Sequence, residues 1–326
     1  MRALVFDAFG DPLQQLQLKE LPTPEPGPGE VRLRMKLRPI NPSDLLQVVG
    51  VYGRKAVVPA VAGLEGLGVV EALGPGVTGW SLGERVVPLG AQGTWAEALV
   101  TPAENLVKLR DDLPDEQAAQ IIVNPLTAWI MAVEELKLEP GQWLVQTASA
   151  SAVGRSLIQL GRLRGFKTLC LVRRESQIME LLAEGADAVV STEHLDWVER
   201  AQALLPKGGA HAAVDAVGGR VGGELVKLLR NGSTMLVYGA LSMEPLQLPG
   251  GQLIFKVATV KGFWLTDWKL RMPRAERDRV LGELMAVMAK GQLKVPVDGT
   301  YPLDQFREAI AHVHQPGRHG KILLGS

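Results

Sequence analysis

The middle of the chain alternates short apolar runs with longer segments of helical periodicity. The apolar runs cover residues 143–145, 168–172, 188–190, 212–214 and 235–238. Runs that are apolar throughout are typical of strands buried on both faces, as in a parallel sheet covered by helices. This pattern predicts an α/β fold with a doubly wound parallel sheet, to which residues 257–265 add a sixth strand.

The first third of the chain has a different pattern. A Pro- and Gly-rich segment at residues 22–30 precedes strict alternation of apolar and charged residues at 31–37, and glycines interrupt short strands further on. This is typical of an all-β domain with sharply turning strands, such as a small, partly open barrel. Helical periodicity begins near Pro114 and returns at 276–290, and residues 321–324 predict a last strand.

A chain of 326 residues favours two domains. Because the last strand is expected to return to the β-rich part, we predict a discontinuous β-rich domain, residues 1–120 with 267–326. The domain with the parallel sheet, residues 121–266, is then inserted into it.

Composition excludes several classes of partner. Lys plus Arg and Asp plus Glu both number 35, so net charge gives no reason to expect nucleic acid or a membrane surface.

Residues 1–7 predict a strand rather than a targeting segment, which favours a cytoplasmic protein. The only cysteine, Cys170, lies in an apolar run and is expected to be a buried, inert thiol.

A strand-to-helix turn at residues 146–154 is the candidate cofactor site. Small residues, Ser149, Ser151 and Gly154, stand at the spacing of a dinucleotide-binding turn, although only the last is glycine. Such a turn lets the backbone approach a pyrophosphate, whose charge is met by N–H groups at the helix N-terminus. An ordinary tight turn is the alternative.

The residues after the next predicted strand bear on which cofactor binds. About twenty residues after Gly154, where an NAD site has an acid, this chain has Arg173 and Arg174. Guanidinium groups bind a 2′-phosphate with charge-assisted hydrogen bonds, so NADPH is favoured over NADH. The alternative is a solvated basic loop.

No residues group into a metal site: His312, His314 and His319 lie close together, but no cysteine is near them. Reduction of a carbonyl or a conjugated alkene without metal needs a nicotinamide hydride and a hydrogen-bond or proton donor. Tyrosine suits that role, and the chain has three. Spacing alone does not choose among Tyr52, Tyr238 and Tyr301.

Several motifs carry a family resemblance. They are Asn-Pro-Ser-Asp-Leu at 41–45, Gly-Val-Tyr at 50–52, Gly-Thr-Trp-Ala at 93–96, Val-Asn-Pro-Leu-Thr-Ala at 123–128, Ser-Ala-Val-Gly at 151–154, Tyr-Gly-Ala at 238–240 and Gly-Phe-Trp-Leu at 262–265. With them the whole chain resembles the medium-chain dehydrogenase/reductase superfamily, and within it the zinc-free, mitochondrial-type 2-enoyl thioester reductases. The resemblance implies a GroES-like catalytic domain and a Rossmann domain.

The resemblance also implies site residues. It makes Tyr52 the catalytic tyrosine and gives Asn124 a role both in catalysis and in cofactor contact. It implies further NADPH contacts in the phosphate turn, in the basic loop, after the later strands and in the tail: Ala150, Ser151, Ala152, Val153, Gly154, Arg173, Arg174, Glu175, Tyr238, Gly239, Ala240, Leu241, Phe263, Trp264, Leu265 and Lys321. For Tyr238 and Phe263 a core position, and for Lys321 a solvated charge, are the alternatives.

The chain departs from the family pattern in two ways. Thr147 and Ala150 stand where members often carry asparagines in the phosphate turn. Leu64 stands where zinc-dependent relatives have a histidine ligand, and Ser43 lies near the position of their cysteine. The second departure agrees with a site that holds no metal.

The implied reaction is hydride transfer from NADPH to the β-carbon of a 2-enoyl thioester, with Tyr52 assisting protonation of the enolate. The acyl group would be carried by CoA or by acyl carrier protein, and family members pair edge strands near residues 257–263 into homodimers. An NADPH:quinone reductase and a non-catalytic NADPH-binding redox sensor are the alternatives.

Overall fold

The computed structural model describes residues 1–326, and the chain divides into two compact units. The first unit comprises Met1–Val123 and Met272–Ser326, and the second comprises Asn124–Arg271. The boundaries expected from the sequence, after residues 120 and 266, lie a few residues away.

The strands, in chain order, are β1 Arg2–Phe6, β2 Gln17–Glu20, β3 Glu30–Pro39, β4 Ala60–Val61, β5 Leu67–Leu73, β6 Arg85–Pro88, β7 Ala98–Pro102, β8 Leu106–Lys108, β9 Trp143–Gln146, β10 Lys167–Val172, β11 Ala188–Ser191, β12 Ala210–Asp215, β13 Leu229–Val237, β14 Thr259–Gly262, β15 Val297–Pro302 and β16 Lys321–Gly325. The helices are α1 Pro12–Gln15, α2 Pro42–Val49, α3 Asp115–Ala118, α4 Asn124–Trp129, α5 Ala152–Arg164, α6 Ile178–Ala183, α7 Trp197–Leu204, α8 Gly219–Leu228, α9 Gly250–Phe255, α10 Leu265–Arg271, α11 Arg274–Ala289 and α12 Phe306–Val313, with a π-helical segment at Ile130–Glu135.

The first unit is built on two sheets. A small antiparallel sheet has the order β2-β1-β4, and a larger one has the order β15-β16-β3-β5-β6-β8, with β7 also paired to β3. Strand β16 pairs antiparallel with β3, so the tail returns to the β-rich part as predicted. Phe6, Trp95, Phe306 and Ile322 are buried in one of the cores of this unit.

The second unit contains one six-stranded sheet with the order β11-β10-β9-β12-β13-β14. All its neighbouring strands run parallel. The first strand of this sheet in chain order, β9, lies in the middle, and the chain winds outward from it on both sides, which is the Rossmann arrangement. The predicted fold class, α/β with a β-rich domain and a doubly wound sheet, is confirmed.

Cys170 lies on β10 and is fully buried, as predicted. Burial raises the pKa of its thiol to about 11. A thiol protonated at neutral pH is a poor nucleophile.

Two elements differ from the sequence-based expectation. Helix α2 interrupts the part of the chain predicted to be all-β, with Asn41 at its N-cap and Pro42 in its first turn. The sixth strand is shorter than predicted, because Val257 lies in a left-handed turn after α9, φ 49°, and Leu265 already begins α10. Apolar runs of this length are compatible with either a strand or a short helix, and their periodicity does not decide between them. None of the helices is long and apolar enough to cross a bilayer.

Candidate active site

The phosphate turn joins β9 to α5 in the second unit. Ser151 caps the helix, because its Oγ accepts a hydrogen bond from the N–H of Gly154 at 3.1 Å. Ser149 is fully buried and its Oγ donates to the carbonyl of Gln146 at 2.9 Å. The N–H groups of the first two residues of α5 have no carbonyl partner within the helix. A negatively charged group is therefore stabilised at this end of α5.

Gly154 allows the helix to approach the strand. A Cβ at this position would lie 2.4 Å from the carbonyl oxygen of Ser149. Backbone cannot move away from such a contact as a flexible side chain would. The glycine is therefore required by close helix-to-strand packing, as is the third small residue of a dinucleotide-binding turn.

Thr147 and Asp215 fix the ends of two neighbouring strands. The Thr147 hydroxyl donates to Asp215 Oδ1 at 2.6 Å and accepts from the N–H of Ala216 at 2.9 Å. The Asp215 carboxylate also accepts from the N–H groups of Val217 and Gly218, at 2.9 Å each. Thr147 thus ties the turn after β9 to the end of β12. Sequence reasoning missed Asp215, although an acid at the end of an apolar strand was a visible signal.

The residues predicted to contact the adenosine 2′-phosphate follow β10. Arg173 is exposed and Arg174 half-buried, and neither guanidinium forms an ion pair. The Nε of Arg174 is buried without a hydrogen-bond partner. Glu175 instead contacts His194, with 2.6 Å between Oε1 and Nε2. Two unpaired cations and a buried, unsatisfied donor leave this loop able to bind an anion.

The remaining predicted contacts of the second unit follow β13 and β14. The N–H of Tyr238 donates to the carbonyl of Asp215 at 2.8 Å, and that of Phe263 donates to the last residue of β13 at 2.8 Å. The Tyr238 hydroxyl is buried without a hydrogen-bond partner, and burial raises its pKa. Trp264 is 40% exposed. Because the strands are parallel, these segments lie at the same edge of the sheet as the phosphate turn. Asn124, at the start of α4, is buried.

The other two predicted site residues, Tyr52 and Lys321, belong to the first unit. Tyr52 is half-buried and follows α2, whose last turn ends at Gly50 in the left-handed conformation, φ 88°. Lys321 begins β16 and is buried, with its Nζ donating to Asn41 Oδ1 at 2.5 Å. The alternative of a solvated Lys321 is therefore wrong.

Lys321 belongs to a buried polar cluster that we call the Asn41 network, comprising Asn41, Asp44, Glu65 and Lys321. The Asn41 amide donates from Nδ2 to Glu65 Oε1 at 2.8 Å. The N–H of Asn41 donates to Asp44 Oδ2 at 2.7 Å, and that of Val123 donates to Glu65 Oε2 at 2.8 Å. No residue of the network is more than 6% exposed. The sequence motif at residues 41–45 marked this place without predicting its partners.

Burial dominates the electrostatics of the Asn41 network. It raises the pKa of Asp44 and of Glu65 to about 7, and it lowers the pKa of Lys321 to about 8. Loss of hydration disfavours the charged form of each group, and the hydrogen bonds within the network only partly oppose it. Leu64 directly precedes Glu65 in the sequence. Nowhere in the chain do three or more His, Cys, Asp or Glu side chains group closely enough to hold a metal ion.

Family models match both units of the chain. Residues 27–111 match the alcohol dehydrogenase GroES-like domain, and residues 152–280 match the zinc-binding dehydrogenase family. The mitochondrial enoyl-[acyl-carrier-protein] reductase of Xenopus tropicalis is 35% identical over 99% of this chain and 95% of its own length. The chain belongs to the medium-chain dehydrogenase/reductase superfamily, in the family of the mitochondrial-type enoyl thioester reductases.

Solved structures agree with this membership. A Bacillus thuringiensis protein assigned as an NADPH:quinone reductase is 32% identical, with a TM-score of 0.93 over 100% of this chain and 98% of its own. The mitochondrial 2-enoyl thioester reductase heterodimer of Candida tropicalis is 26% identical, with a TM-score of 0.87 over 100% of this chain and 99% of its own.

The predicted cytoplasmic location is wrong by the same comparison, because the enoyl-[acyl-carrier-protein] reductases that this chain resembles are mitochondrial proteins. The prediction depended on residues 1–7 forming a strand. They do form one, β1. A strand at this position describes the fold and carries no information about the compartment.

Replacing Gly154 with alanine should disrupt cofactor binding. The added Cβ collides with the backbone of Ser149, so α5 must shift away from the turn. We expect the affinity for a reduced nicotinamide cofactor, measured by titration of its fluorescence, to fall at least about tenfold, since a displaced helix N-terminus no longer meets the pyrophosphate. Gly282, where an added Cβ would have nothing within 4 Å, is the matched control. Gly282→Ala should bind the cofactor normally. Unchanged cofactor affinity in Gly154→Ala would contradict the assignment of this turn as the phosphate-binding site.

Asp44 should make the protein less stable as pH rises toward neutrality. The pKa of Asp44 is raised on folding. The stability that its protonation provides is therefore fully present below the pKa of Asp44 in the unfolded chain, and it is lost as the pH rises from there to about 7. Asp44→Asn keeps an oxygen for the N–H of Asn41 and removes the titration. The free energy of unfolding of the wild type, relative to this variant, should fall by more than about 1 kcal/mol between pH 5 and pH 7.5 in urea titrations. A relative rise would indicate a depressed pKa instead.

Proposed function

We propose that this protein uses NADPH to reduce the 2,3-double bond of a trans-2-enoyl thioester. The observation that carries the proposal is the 35% identity to an enoyl-[acyl-carrier-protein] reductase over 99% of the chain, which spans both units. The saturated acyl group would be carried by CoA or by acyl carrier protein, as in fatty acid synthesis. We propose that Tyr52 supplies a proton and that the strand edge of the second unit binds the cofactor.

The second unit fits a phosphorylated dinucleotide. The glycine at the start of α5 lets the helix pack closely on the turn, so that its N-terminal N–H groups are placed to meet a pyrophosphate. The guanidinium groups of Arg173 and Arg174 are without ion partners. When bound, NADPH supplies a hydride to the β-carbon of the enoyl group. We propose that Asn124 and the segments after β13 and β14 hold the nicotinamide half, and that Lys321 adds a contact.

The basic pair should set cofactor preference. Arg173→Ala with Arg174→Ala removes two charges opposite a 2′-phosphate that only NADPH has. We expect the KM for NADPH to rise about tenfold or more while that for NADH changes less than about threefold. Arg200→Ala, which breaks only a surface pair with Asp196, is the control. Equal losses with both cofactors would refute the role of the pair.

Tyr52 is proposed as the proton donor. Hydride addition at the β-carbon places negative charge on the α-carbon and the thioester oxygen, and a phenol can donate to either atom. The backbone N–H of Tyr52 donates to the carbonyl of Leu46 at 3.3 Å, which holds the residue at the end of α2. This bond fixes the backbone from which the Tyr52 side chain extends.

Tyr52→Phe should lower kcat for a short 2-enoyl-CoA by about 10²- to 10⁴-fold, because it removes the acid and leaves the ring. NADPH affinity should be unchanged. Tyr301→Phe is the control, since Tyr301 contacts His312 at 2.9 Å in the same unit. Near-normal turnover of Tyr52→Phe would exclude this tyrosine as the donor.

A quinone reductase is the second candidate function, favoured by the TM-score of 0.93 to a protein assigned that activity. Parallel assays of NADPH oxidation with a 2-enoyl-CoA and with a simple quinone distinguish the two. We expect kcat/KM to be larger for the enoyl thioester than for the quinone by at least about tenfold. Faster quinone reduction would favour the rival, and turnover with neither would favour a redox sensor. We further propose that the reaction proceeds without zinc, because Leu64 cannot coordinate a metal.

We also propose a homodimer formed through β14. This strand is hydrogen-bonded only to β13 and so has one open edge within the chain. Next to it, Ile254, Phe255 and Val257 are 69%, 82% and 75% exposed. Open strand edges with apolar neighbours are sites of strand pairing between chains.

Phe255→Asp should convert the dimer into a monomer in light scattering after gel filtration, because a charge cannot be buried unpaired in an interface. Leu195→Asp is the control, since Leu195 is 88% exposed after β11, at the other end of the sheet. A wild-type monomer, or a dimer unaffected by Phe255→Asp, would contradict pairing at this edge.

A further inference from the structure

Helix α2 connects the Asn41 network to Tyr52. Asn41 is the N-cap of the helix, and its backbone carbonyl accepts from the N–H of Asp44 at 3.0 Å. At the other end, the carbonyl of Leu46 accepts from the N–H groups of Gly50, Val51 and Tyr52, at 3.0, 3.1 and 3.3 Å. An eight-residue helix is short and stiff, so a movement at its first turn reaches its last turn almost unchanged.

The first turn is anchored to two other parts of the unit. Glu65 lies between β4 and β5, and it bonds both the Asn41 amide and the N–H of Val123. Lys321 begins β16, and its ammonium donates to the oxygen of the same Asn41 amide. Asn41 therefore meets a carboxylate with its donor and an ammonium with its acceptor. A buried amide with both ends used has one allowed orientation.

Apolar packing alone would not fix the helix in this way. Leu45 and Val48 pack in the core of the first unit, but contacts of this kind are not directional. Gly50 lies against Phe9, where an added Cβ would come within 2.8 Å of the ring. These contacts limit how far the end of α2 can move. The hydrogen bonds of Asn41 determine the rotation of helix α2 about its axis and the position of the helix along that axis.

We propose that Asn41, acting through its bonds to Glu65 and Lys321, is a positioning residue for Tyr52. This inference rests on the proposed function, in which Tyr52 donates a proton. In addition to stabilising the fold, the Asn41 network then positions the Tyr52 phenol for proton donation. Misplacement of a reacting group by about 1 Å can lower a rate about 100-fold.

An isosteric exchange of amide and acid tests the proposal. Asn41→Asp places two acceptors opposite each other, and Glu65→Gln forces a donor against a donor at either Asn41 or Val123. The double variant, Asn41→Asp with Glu65→Gln, restores every bond and reverses the direction of one. In it the new amide at position 65 donates to the new carboxylate at position 41 and still accepts from Val123. The double variant also has the charge of the wild type.

We expect each single variant to lower kcat for a 2-enoyl-CoA by about 10- to 100-fold, while the affinity for NADPH, which we assign mainly to the second unit, changes less than about threefold. The double variant should recover to within about threefold of the wild type. Gln117→Glu is the control for stability, because the Gln117 side chain forms two hydrogen bonds to the backbone of Val295 in the same unit, each of 2.9 Å. It should lose thermal stability without loss of kcat.

Single variants that are destabilised but keep the kcat of the wild type would overturn the inference and leave the proposed function intact. A wild type that does not reduce enoyl thioesters would overturn the proposed function first, and the inference with it. If a single variant does not fold, Glu65→Asp is the substitute, because its shorter carboxylate cannot reach both partners and creates no conflict of donors. Unchanged kcat in folded Glu65→Asp would equally overturn the inference.

Discussion

The parallel pairing of β9 with its two neighbours, β10 and β12, is the constraint on which the second unit depends. Parallel strands end at one edge, so the segments that follow them meet there whatever their separation in the sequence. The turn opening α5, the basic loop and the carboxylate of Asp215 all lie at that edge for this reason. Hydrogen bonds then determine the details, with Thr147 joining the ends of β9 and β12.

The first unit depends on a buried polar cluster, the Asn41 network. It buries two carboxyl groups and one ammonium, and such groups are costly in an interior unless each is paired. Asn41 makes the arrangement possible, because one amide can satisfy a carboxylate and an ammonium together. Leu64, whose side chain cannot coordinate a metal, directly precedes Glu65 of this network. The hydrogen bonds of this cluster are directional, whereas apolar contacts are not.

The sequence predicted those features that depend on local pattern. Apolar runs of five residues or fewer predicted β9 to β13, and a strand-turn-helix order with small residues predicted the phosphate turn, even though most of its glycines are absent. Burial of Cys170 followed from its neighbours in the same way. Features that depend on tertiary partners were not predicted: Lys321 and Asn41 are 280 residues apart, and no periodicity relates them. Helix α2 was missed because its eight residues lie among strands and glycines, although a cap and a proline were present. Asp215 was missed because an acid ending a strand has many possible uses until its three donors are seen.

The origin of the two hydrogens added to the substrate tests the central claim most directly. A trans-2-enoyl-CoA is reduced once with NADPH deuterated at C4 in ordinary water, and once with unlabelled NADPH in deuterium oxide. Mass spectrometry of the saturated product should show cofactor deuterium only at the β-carbon and one solvent deuterium at the α-carbon. A product with the labels at the opposite carbons, or no saturated thioester at all, would contradict the account.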